Sequence, residues 1–332
     1  MKAVGFRSFG PPDVLELLDL PDERPLPGQV RIRVRAAGLS APDDAIRLGW
    51  FQPPGTTPDF PTVPGYEAAG VVEEAGEDTP FRAGDEVMAF TSPGVPGIGT
   101  FGAHAEYLVV PAAQVAPKPA GLDFDAAATL PMGGLTARMT LDLLGLSAGD
   151  TLVVTGAAGV VGGYIVQLAK TDGLTVVAHG LPGSADRLQA LGADHVVERS
   201  DAMAEQVRAL LPDGADGLAD TAGLNAAAVA AVRDGGSMAT LRYWNGDPDT
   251  GSARNPFGYA PRSPGRGIRL EATLVTNYAG ENAKLRRIGR LAEDGALTPF
   301  LGSLFPFEQA EEATRLLISG TAQGRIVLTM PH

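Results

Sequence analysis

Short apolar runs punctuated by proline and glycine fill the first part of the chain. The run 29–39 alternates apolar and charged residues, which is the period of a half-buried β-strand. The runs 68–76, 84–90 and 105–111 have the same character and are separated by turn-forming residues. Residues 1–121 are therefore predicted to form a domain built mainly of β-strands.

From residue 122 onward, apolar runs of strand length alternate with runs of helical period. The alanine-rich residues 225–236 are one of the helical segments. Such alternation predicts right-handed βαβ units and a parallel sheet covered on both faces by helices, an α/β architecture. A chain of 332 residues exceeds one compact core, so we place this second domain at 122–261. Its strand-like runs begin at Thr151, Thr175, His195, Gly217 and Gly236.

Glycine recurs at every third position where one apolar strand ends, in VTGAAGVVGGYIVQLAK (154–170). The first glycine permits a tight turn, the second lets backbone approach a pyrophosphate, and the third allows close packing of helix on strand. N–H groups and the dipole at the start of that helix attract the anion. The strand before, the helix after and the further βα units favour dinucleotide binding over a plain packing turn. The predicted contacts are Gly156, Ala158, Gly159, Val160, Val161 and Gly162.

The end of the next strand indicates which dinucleotide is preferred. An NAD site places Asp or Glu there to bind the ribose 2′-hydroxyl, but this chain has His179 and Gly180, with no acid before Asp186. Ser184 or Arg187 could bind a 2′-phosphate, although Arg187 could equally face solvent on a helix. NADPH is therefore favoured over NADH. Beyond the glycine turn, the residues assigned to the cofactor are His179, Ser184, Arg187, Arg199 and Leu241.

Composition removes several classes of function. The net charge is −13 and the pI about 4.7, so neither a nucleic acid nor an anionic membrane surface is expected as a partner. There is no cysteine, which excludes disulfides, thiol nucleophiles and thiolate metal ligands. The four histidines are scattered, and we interpret His104 as structural rather than catalytic. With no membrane-length apolar run and no signal-peptide pattern, a cytoplasmic location is expected.

Several motifs together resemble one family. PGYEAAGVV (64–72), GDEV (84–87), GLTA (134–137) and the glycine turn are similar to the medium-chain dehydrogenase/reductase superfamily. The similarity is greatest to its zinc-free quinone oxidoreductase branch, the zeta-crystallin-like proteins. It implies a GroES-like β-barrel catalytic domain, 1–121 completed by 262–332, and an inserted Rossmann domain whose doubly wound parallel sheet binds NADP(H). The resemblance places the active site in the cleft between the domains.

The resemblance also implies that zinc is absent. Ser40 matches the position of the catalytic cysteine in the superfamily's alcohol dehydrogenases, and Gly65-Tyr66-Glu67 replaces their Gly-His-Glu. A hydroxyl and a phenol are poor zinc ligands beside thiolate and imidazole. Hydride is then expected to reach an acceptor that is already electrophilic, such as a quinone or an α,β-unsaturated carbonyl compound.

Three residues are placed around the nicotinamide by the resemblance. Ser40, Tyr66 and Thr136 are candidate hydrogen-bond donors to the substrate oxygen or to the cofactor, and each has an equally good structural interpretation. Asp43 and Glu67 are expected to orient their neighbours rather than to react.

Aromatic residues around the predicted pocket suggest a bulky or planar substrate. Ala45 stands where many relatives carry tyrosine, and Trp50 and Phe51 offer flat surfaces unless they simply cover the barrel. Tyr243 and Trp244 belong to a long loop-like segment that interrupts the alternation of strands and helices.

Three functional hypotheses remain. The first is an NADPH-dependent, zinc-independent reductase of a small-molecule quinone or enone. The second is an enoyl reductase acting on a thioester or a dedicated biosynthetic intermediate, and the third is a non-catalytic nucleotide-binding protein with a structural or regulatory role. The resemblance implies a homodimer formed through an edge strand of the Rossmann sheet, for which 236–241 and the long loop are candidates.

Overall fold

The computed structural model describes residues 1–51, 60–92, 101–241 and 264–330. The chain forms two compact units. The first consists of Met1–Met132, Thr276–Gly295 and Pro299–His332, and the second of Gly133–Val275 with Ala296–Thr298. No helix within the described ranges has the length and apolarity needed to cross a bilayer.

The elements follow one another in three stretches of the chain. The N-terminal stretch contains β1 (Lys2–Gly5), β2 (Glu16–Asp19), β3 (Gln29–Leu39), α1 (Ala41–Arg47), β4 (Glu67–Ala75), β5 (Glu86–Phe90), β6 (Tyr107–Pro111), β7 (Val115–Pro117) and α2 (Phe124–Ala127). The middle stretch contains α3 (Pro131–Leu144), β8 (Thr151–Thr155), α4 (Val160–Thr171), β9 (Thr175–Gly180), α5 (Ala185–Ala190), β10 (His195–Glu198), α6 (Met203–Leu210), β11 (Ala215–Asp220), β12 (Val232–Thr240) and β13 (Arg269–Ala272). The C-terminal stretch contains α7 (Asn282–Glu293), β14 (Leu301–Pro306), α8 (Ala310–Ser319) and β15 (Arg325–Thr329).

A seven-stranded sheet organises the first unit. Its strand order is β14-β15-β3-β4-β5-β7, with β6 also paired to β3. The alternation at 29–39 is confirmed as strand β3, in which Val30, Ile32 and Val34 are buried. Their side chains join the apolar core of this unit, which the returning strand β15 completes by pairing antiparallel with β3.

A six-stranded parallel sheet organises the second unit. Its strand order is β10-β9-β8-β11-β12-β13, and every neighbouring pair runs parallel. Counted from β8, this is the 3-2-1-4-5-6 order of the Rossmann fold, so the predicted fold class is confirmed. The strand order reverses between β8 and β11, and such sheets bind their ligands at the carboxyl ends of the strands near this point.

The helix predicted at 225–236 is wrong. Residues Asn225–Ala231 form 3₁₀ turns, and β12 already begins at Val232. Asn225 has a φ of 52°, and its N–H and those of the two preceding residues donate to the carboxylate of Asp220. The chain therefore leaves β11 through a tight turn held by a side chain, which replaces the start of a regular helix.

The strand segment predicted to pair across a dimer axis lies inside the sheet. Residues 236–241 fall mostly in β12, which is hydrogen-bonded to β11 on one side and to β13 on the other. Because both edges of β12 are already used, this part of the dimer prediction is wrong. The outer strands of this sheet, among the residues described, are β10 and β13.

The compact units divide at residues other than the predicted domain boundaries. The sequence patterns place boundaries after 121 and before 262, whereas the units divide after Met132 and after Val275. At the first of these divisions, the Met132 N–H donates to the buried carboxylate of Glu67 in the first unit at 2.8 Å.

Candidate functional site

The glycine turn connects β8 to α4 as the sequence predicts. Gly156 has a φ of 61°, a left-handed conformation that favours glycine, and Gly159 is the N-cap of α4. Gly159 has no side chain to bind the first N–H groups of the helix, so these groups and the positive end of the helix dipole are available to an anion. The Ala157 N–H fixes the turn by donating to the carbonyl of His179 at 3.1 Å.

The three glycines of this turn are required for different reasons. A Cβ on Gly156 would lie 2.6 Å from Thr221 Oγ1, and a Cβ on Gly162 would overlap the Gly156 carbonyl and lie 2.9 Å from Ala157 Cα. These two glycines therefore serve the packing of turn and helix against the sheet. A Cβ on Gly159 would meet only the Gly156 carbonyl oxygen, at 3.3 Å. Close approach of a ligand to the backbone explains Gly159 better than packing does.

Four polar residues, which we call the polar row, lie across the carboxyl ends of neighbouring strands. The strand registers put Thr155 level with Asp220 and with His179, and Asp220 level with Thr240. Side chains at one level of a parallel sheet point to the same face, so the four lie side by side. Their exposed fractions are 3% for His179, 0% for Thr155 and Asp220, and 1% for Thr240. The next side chains down the same strands form the apolar core, namely Val177, Val153, Leu218 and Met238.

Asp220 is the most extensively bonded member of the polar row. Its carboxylate accepts a hydrogen bond from Thr155 Oγ1 at 2.7 Å and from the N–H groups of Gly223, Leu224 and Asn225 at 3.0, 3.1 and 2.7 Å. Three of these donors bind Oδ1, and the Asn225 N–H alone binds Oδ2. Thr155 Oγ1 in turn accepts a backbone N–H at 3.1 Å. These hydrogen bonds hold the ends of β8 and β11 together.

The imidazole of His179 has no such partners. Both ring nitrogens are buried, and no described residue forms a hydrogen bond with either of them. Burial lowers the pKa of His179 below its ordinary value of 6.5, the cation of Arg199 lowers it further, and the carboxylate of Asp220 opposes both effects. The ring is therefore neutral near neutral pH, with one donor and one acceptor nitrogen. Buried polar atoms without a partner are uncommon in native proteins, and this property distinguishes His179 from Thr155 and Asp220 in the polar row.

The remaining predicted cofactor contacts surround the ends of β9 and β12. The Arg199 N–H donates to the Gly180 carbonyl at 2.7 Å, which holds Arg199 beside the end of β9, and its side chain is exposed. Ser184 Oγ donates to a backbone carbonyl of its own turn at 2.6 Å, and Arg187 is exposed on α5. Leu241 directly follows β12 and donates its N–H to the last residue of β11 at 3.3 Å.

In the first unit, Ser40 is bound to a buried carboxylate. Asp43 Oδ2 accepts hydrogen bonds from Ser40 Oγ at 2.7 Å and from the Ser40 N–H at 2.8 Å, while its Oδ1 accepts the Gly65 N–H at 2.7 Å. Asp43 thus orients its neighbours, as expected from the sequence. Because its hydrogen is used by Asp43, the Ser40 hydroxyl presents a lone pair to any further partner. This geometry favours a role as acceptor for Ser40 over the predicted role as donor.

Tyr66 and Glu67 directly follow Gly65, the residue whose N–H binds Asp43. Tyr66 is buried, and its ring stacks on Phe90 with the ring centres 6.4 Å apart. Glu67 is fully buried, and its Oε1 lies 2.8 Å from Nε of Arg325 without hydrogen-bond alignment, so the contact is ionic. Its Oε2 accepts the Met132 N–H. These contacts fix the start of β4 and with it the position of Tyr66.

Three of the residues predicted to line the substrate pocket, Ala45, Trp50 and Phe51, lie in the second half of α1 or just after it. Ala45 is buried, and its carbonyl accepts the Trp50 N–H at 2.9 Å. Trp50 is 47% exposed and Phe51 is half-buried. The exposed fraction of Trp50 argues against a purely covering role for its ring. Tyr243 and Trp244 lie outside the described residues.

Thr136 and His104 complete the sequence-predicted set. Thr136 is buried on α3, in the second unit, and its carbonyl accepts Thr140 Oγ1 at 2.8 Å. His104 is 1% exposed, with Nε2 at 3.1 Å from the Gly38 carbonyl. A buried histidine bonded to backbone fits the structural interpretation. Among the predicted residues, Ser40 is linked through Asp43 to Gly65, the residue before Tyr66. His179 is linked through its carbonyl to the Ala157 N–H of the glycine turn.

Sequence reasoning missed several residues of these clusters. The polar row could have been found from the sequence, because each of four apolar strand-like runs is followed by a polar residue. These residues are Thr155, His179, Asp220 and Thr240. Nothing in the sequence indicated that Arg325 would reach a buried carboxylate. In the part of the chain that the structure describes, no three His, Asp or Glu side chains cluster as a metal site.

Two family models match the chain. Residues 26–120 match the alcohol dehydrogenase GroES-like domain, and residues 191–328 match the zinc-binding dehydrogenase family. The first match lies in the unit with the seven-stranded sheet, and the second begins in the parallel-sheet unit and continues into the returning strands.

Relatives of known name align over nearly the whole chain. It is 33% identical over 337 residues to the 2-methylene-furan-3-one reductase of Solanum lycopersicum, an alignment that covers 99% of this chain and 79% of the relative. It is 31% identical, with the same coverage, to the chloroplastic NADPH-dependent alkenal/one oxidoreductase of Arabidopsis thaliana. Among solved structures, that of an NAD-dependent alcohol dehydrogenase matches with a TM-score of 0.83 and 32% identity over the full length of both chains.

Proposed function

Because the chain belongs to the medium-chain dehydrogenase/reductase superfamily, in its quinone-oxidoreductase-like branch, we propose that this oxidoreductase uses NADPH to reduce a quinone or an α,β-unsaturated carbonyl compound without zinc. The donor set of the first unit carries the proposal. Ser40 and Tyr66 stand where a zinc enzyme of the superfamily needs a thiolate and an imidazole, and the chain contains no cysteine. The Solanum and Arabidopsis relatives are both named as reductases of conjugated carbonyl compounds.

The residues of the second unit fit a dinucleotide. The N–H groups that begin α4 would hold the pyrophosphate, with Gly159 allowing its close approach. The strand end lacks a carboxylate and carries the Arg199 guanidinium, which would form a charge-assisted hydrogen bond with a 2′-phosphate. This charge favours NADPH over NADH. When bound, the nicotinamide supplies a hydride.

The side chains of the protein then have two tasks. They position the acceptor, and they donate hydrogen bonds to the carbonyl or quinone oxygen on which negative charge collects. We assign the donor role to the phenol of Tyr66 and the hydroxyl of Thr136, which the family resemblance places around the nicotinamide. Ser40, whose hydroxyl hydrogen binds Asp43, is assigned the role of acceptor. Trp50, which is 47% exposed, offers a flat apolar face that suits a planar acceptor, and Ala45 is smaller than the tyrosine that many relatives carry at its position. Solvent water provides the proton that completes the reduction of an alkene.

The proposal is tested by NADPH oxidation with a panel of acceptors. The panel contains a benzoquinone, a naphthoquinone, 2-cyclohexenone, an alkenal and an enoyl thioester, each run with and without a chelator. We expect turnover of quinone or enone that is indifferent to chelator. Alcohol oxidation with NADP⁺ that the chelator abolishes would contradict the zinc-free mechanism. Turnover of the thioester alone would favour the enoyl reductase, and tight NADPH binding without any turnover would favour a non-catalytic role.

A matched pair of variants tests the donor role of Tyr66. Tyr66→Phe removes only the phenolic hydroxyl, and we expect kcat to fall by about 10²-fold or more, as for loss of one oxyanion donor. Tyr107→Phe is the control, because Tyr107 lies on β6 and its ring contacts Arg31 at 3.8 Å. If both variants keep the activity of the wild type, Tyr66 is a wall of the pocket and not a donor.

We also propose that the protein is a homodimer that pairs through an outer strand of the parallel sheet, with β13 as the candidate. An exposed strand edge has unpaired N–H and C=O groups that a second copy can satisfy. Light scattering on the eluted protein measures the mass directly, and a monomer at micromolar concentration would contradict this proposal.

A further inference from the structure

We propose that the outward face of α7 is a docking surface for an acidic carrier protein that presents an α,β-unsaturated thioester to the reductase. The docking surface consists of Arg286, Arg287 and Arg290. This inference rests on the proposed reduction of conjugated carbonyl compounds, because an enoyl thioester is one of them. In that reaction the β-carbon gains the hydride of NADPH and the α-carbon gains a proton from water. NADPH is oxidised to NADP⁺, the C=C bond is reduced, and the thioester bond stays intact.

The order of apolar and charged residues gives α7 one buried face and one cationic face. The buried residues of the helix are Leu285, Ile288, Gly289 and Ala292. Arg287 and Arg290 are exposed, and Arg286 is half-buried. Residues three and four apart are neighbours on a helix surface, so Arg290 lies beside both other arginines. The three guanidinium groups therefore belong to one patch.

The docking surface has no acidic partner within the described structure. Acidic residues flank the helix at both ends, at Glu281, Glu293 and Asp294. None of them, and no other carboxylate in the described ranges, forms an ion pair with the three arginines. The nearby Lys284 is different, since its Nζ lies 4.9 Å from the centre of the Tyr278 ring.

The stability of α7 does not account for this arrangement of cations. Like charges three and four residues apart destabilise a helix, and here two such pairs share Arg290. The helix dipole favours a cation only in the last turn, where Arg290 lies, and not at Arg286 or Arg287 in the middle. Arg286 Nε is buried and has no hydrogen-bond partner among the described residues. An external anionic partner explains the patch better than folding does.

An acidic protein fits the docking surface better than other anions do. The protein has 39 acidic and 26 basic residues and a net charge of −13, so a nucleic acid or an anionic membrane would be repelled by the molecule as a whole. Small anions are bound in concave sites, whereas the outward face of a helix is convex. A folded partner with an acidic face can meet the arginines alone. Arginine is enriched in protein interfaces, and charge complementarity of this kind steers association.

α7 packs on the strand that carries the stacking partner of Tyr66. A Cβ on Gly289 would lie 2.9 Å from Cε of Met88, so the helix lies directly against this side chain of β5. Met88 and Phe90 are two residues apart on β5 and point to the same face. Phe90 stacks on Tyr66, and all these residues belong to the first unit. A carrier protein docked on α7 would hold a flexible thioester arm close to the proposed donor.

Kinetics with one acyl group on three carriers test the docking surface. The 2-butenoyl group is supplied on an acidic acyl carrier protein, on coenzyme A, and on N-acetylcysteamine, which is small and uncharged. The variant Arg287→Glu/Arg290→Glu reverses the two exposed charges of the docking surface. The control is Arg82→Glu/Arg315→Glu, which makes the same change of charge at exposed residues elsewhere in the first unit.

We expect kcat/KM of the wild type to be highest with the carrier protein. In R287E/R290E this value should fall about tenfold or more, through a raised KM and with kcat at saturation unchanged. The N-acetylcysteamine thioester should react equally well with the variant and the wild type, and R82E/R315E should match the wild type throughout. The preference of the wild type for the carrier protein should also weaken as salt is raised from about 0.05 M to about 0.5 M.

Several results would overturn the inference. They are an unchanged kcat/KM of R287E/R290E with the carrier protein, an equal loss with all three thioesters, and an equal loss in R82E/R315E. A loss with the coenzyme A thioester as large as that with the carrier protein would identify a phosphate site instead. Competition by duplex DNA or anionic vesicles would identify a polyanion site, and a changed molecular mass of R287E/R290E in light scattering would identify a contact between two copies.

The salt dependence of the wild type decides the matter if the double variant folds poorly. A carrier-protein reaction that ignores salt would contradict docking through charge. Failure of the proposed function is a different outcome, namely no turnover of any quinone, enone or thioester by the wild type. Reduction of quinones or simple enones, but of no thioester, would reject the carrier protein alone.

Discussion

Two buried polar clusters in this protein differ in how their atoms are paired. In the first unit, Asp43 accepts three hydrogen bonds from Ser40 and Gly65, and every donor in the cluster points at it. In the second unit, His179 is just as deeply buried, at 3% exposure, but neither ring nitrogen has a partner within the described structure. The first cluster satisfies its own donors and stabilises the fold, whereas the second leaves both buried nitrogens of His179 without a described partner at the carboxyl end of β9.

The largest effect is expected from removing the acceptor of the paired cluster. Asp43→Ala leaves the buried Ser40 and Gly65 donors without a partner, and we expect a loss of about 2–4 kcal/mol in the free energy of unfolding. Urea unfolding measures it. Cofactor affinity at a temperature where the variant is folded should be unchanged. A loss smaller than about 0.5 kcal/mol, the range of ordinary surface substitutions, would show that this cluster does not stabilise the fold.

Replacing Gly162 or Gly159 with alanine tests the same contrast between a residue required by the fold and a residue required by a ligand. Gly162→Ala forces a Cβ into backbone of the turn and should cost about 1–3 kcal/mol of stability, as overpacking does. Gly159→Ala meets only one carbonyl oxygen, at 3.3 Å, and should leave the melting temperature nearly unchanged. It should instead weaken NADPH binding about tenfold or more, because its Cβ points where the backbone approaches the pyrophosphate. Equal loss of stability in both variants would remove the distinction.

A smaller effect is expected for Ser40→Ala. The hydroxyl hydrogen is already bound by Asp43, so the variant should lose about 1 kcal/mol of stability, the value of one hydrogen bond, and its kcat should change only severalfold. Steady-state kinetics with the best acceptor of the panel provide the check. A fall in kcat of about 10²–10³-fold would instead identify Ser40 as a donor to the substrate oxygen.

The smallest effect is expected on the unfolding stability of the cofactor-free protein at acid pH. The pKa of His179 is lowered by folding from its ordinary value of 6.5, so below that value the unfolded chain binds a proton that the folded chain does not. The stability linked to neutral His179 is complete above about pH 6.5 and is lost as the pH falls toward the lowered pKa. His179→Gln should flatten this part of the curve of urea midpoint against pH, and His195→Gln should not. An identical slope in H179Q would contradict the lowered pKa.

The fold could be predicted because its signals are local. Apolar runs of strand length, helical periods and the glycine turn at 156–162 each depend on neighbouring residues, and they gave the Rossmann sheet correctly. The failed helix at 225–236 shows the limit. Its alanines have high helix propensity, but Asn225 at its start has a φ of 52°, outside the helical region, and the pairing of β12 with its neighbours already begins at Val232.

The candidate site was predicted only in part, for a related reason. Ser40 and Asp43 are three residues apart at a helix start, so their contact is a local pattern that the sequence already contains. The polar row depends on strand register, which brings Thr155, Asp220 and His179 together from three separate strands. The missing partners of His179 become visible only when all neighbouring side chains are placed.

The most direct test of the account is the equilibrium affinity of the wild-type protein for NADPH and for NADH, measured side by side. We predict that NADPH binds at least about tenfold more tightly near neutral pH, because a phosphate beside the exposed guanidinium of Arg199 gains charge-assisted hydrogen bonds. Equal affinities, or tighter binding of NADH, would contradict the assignment of this strand end as a phosphate site.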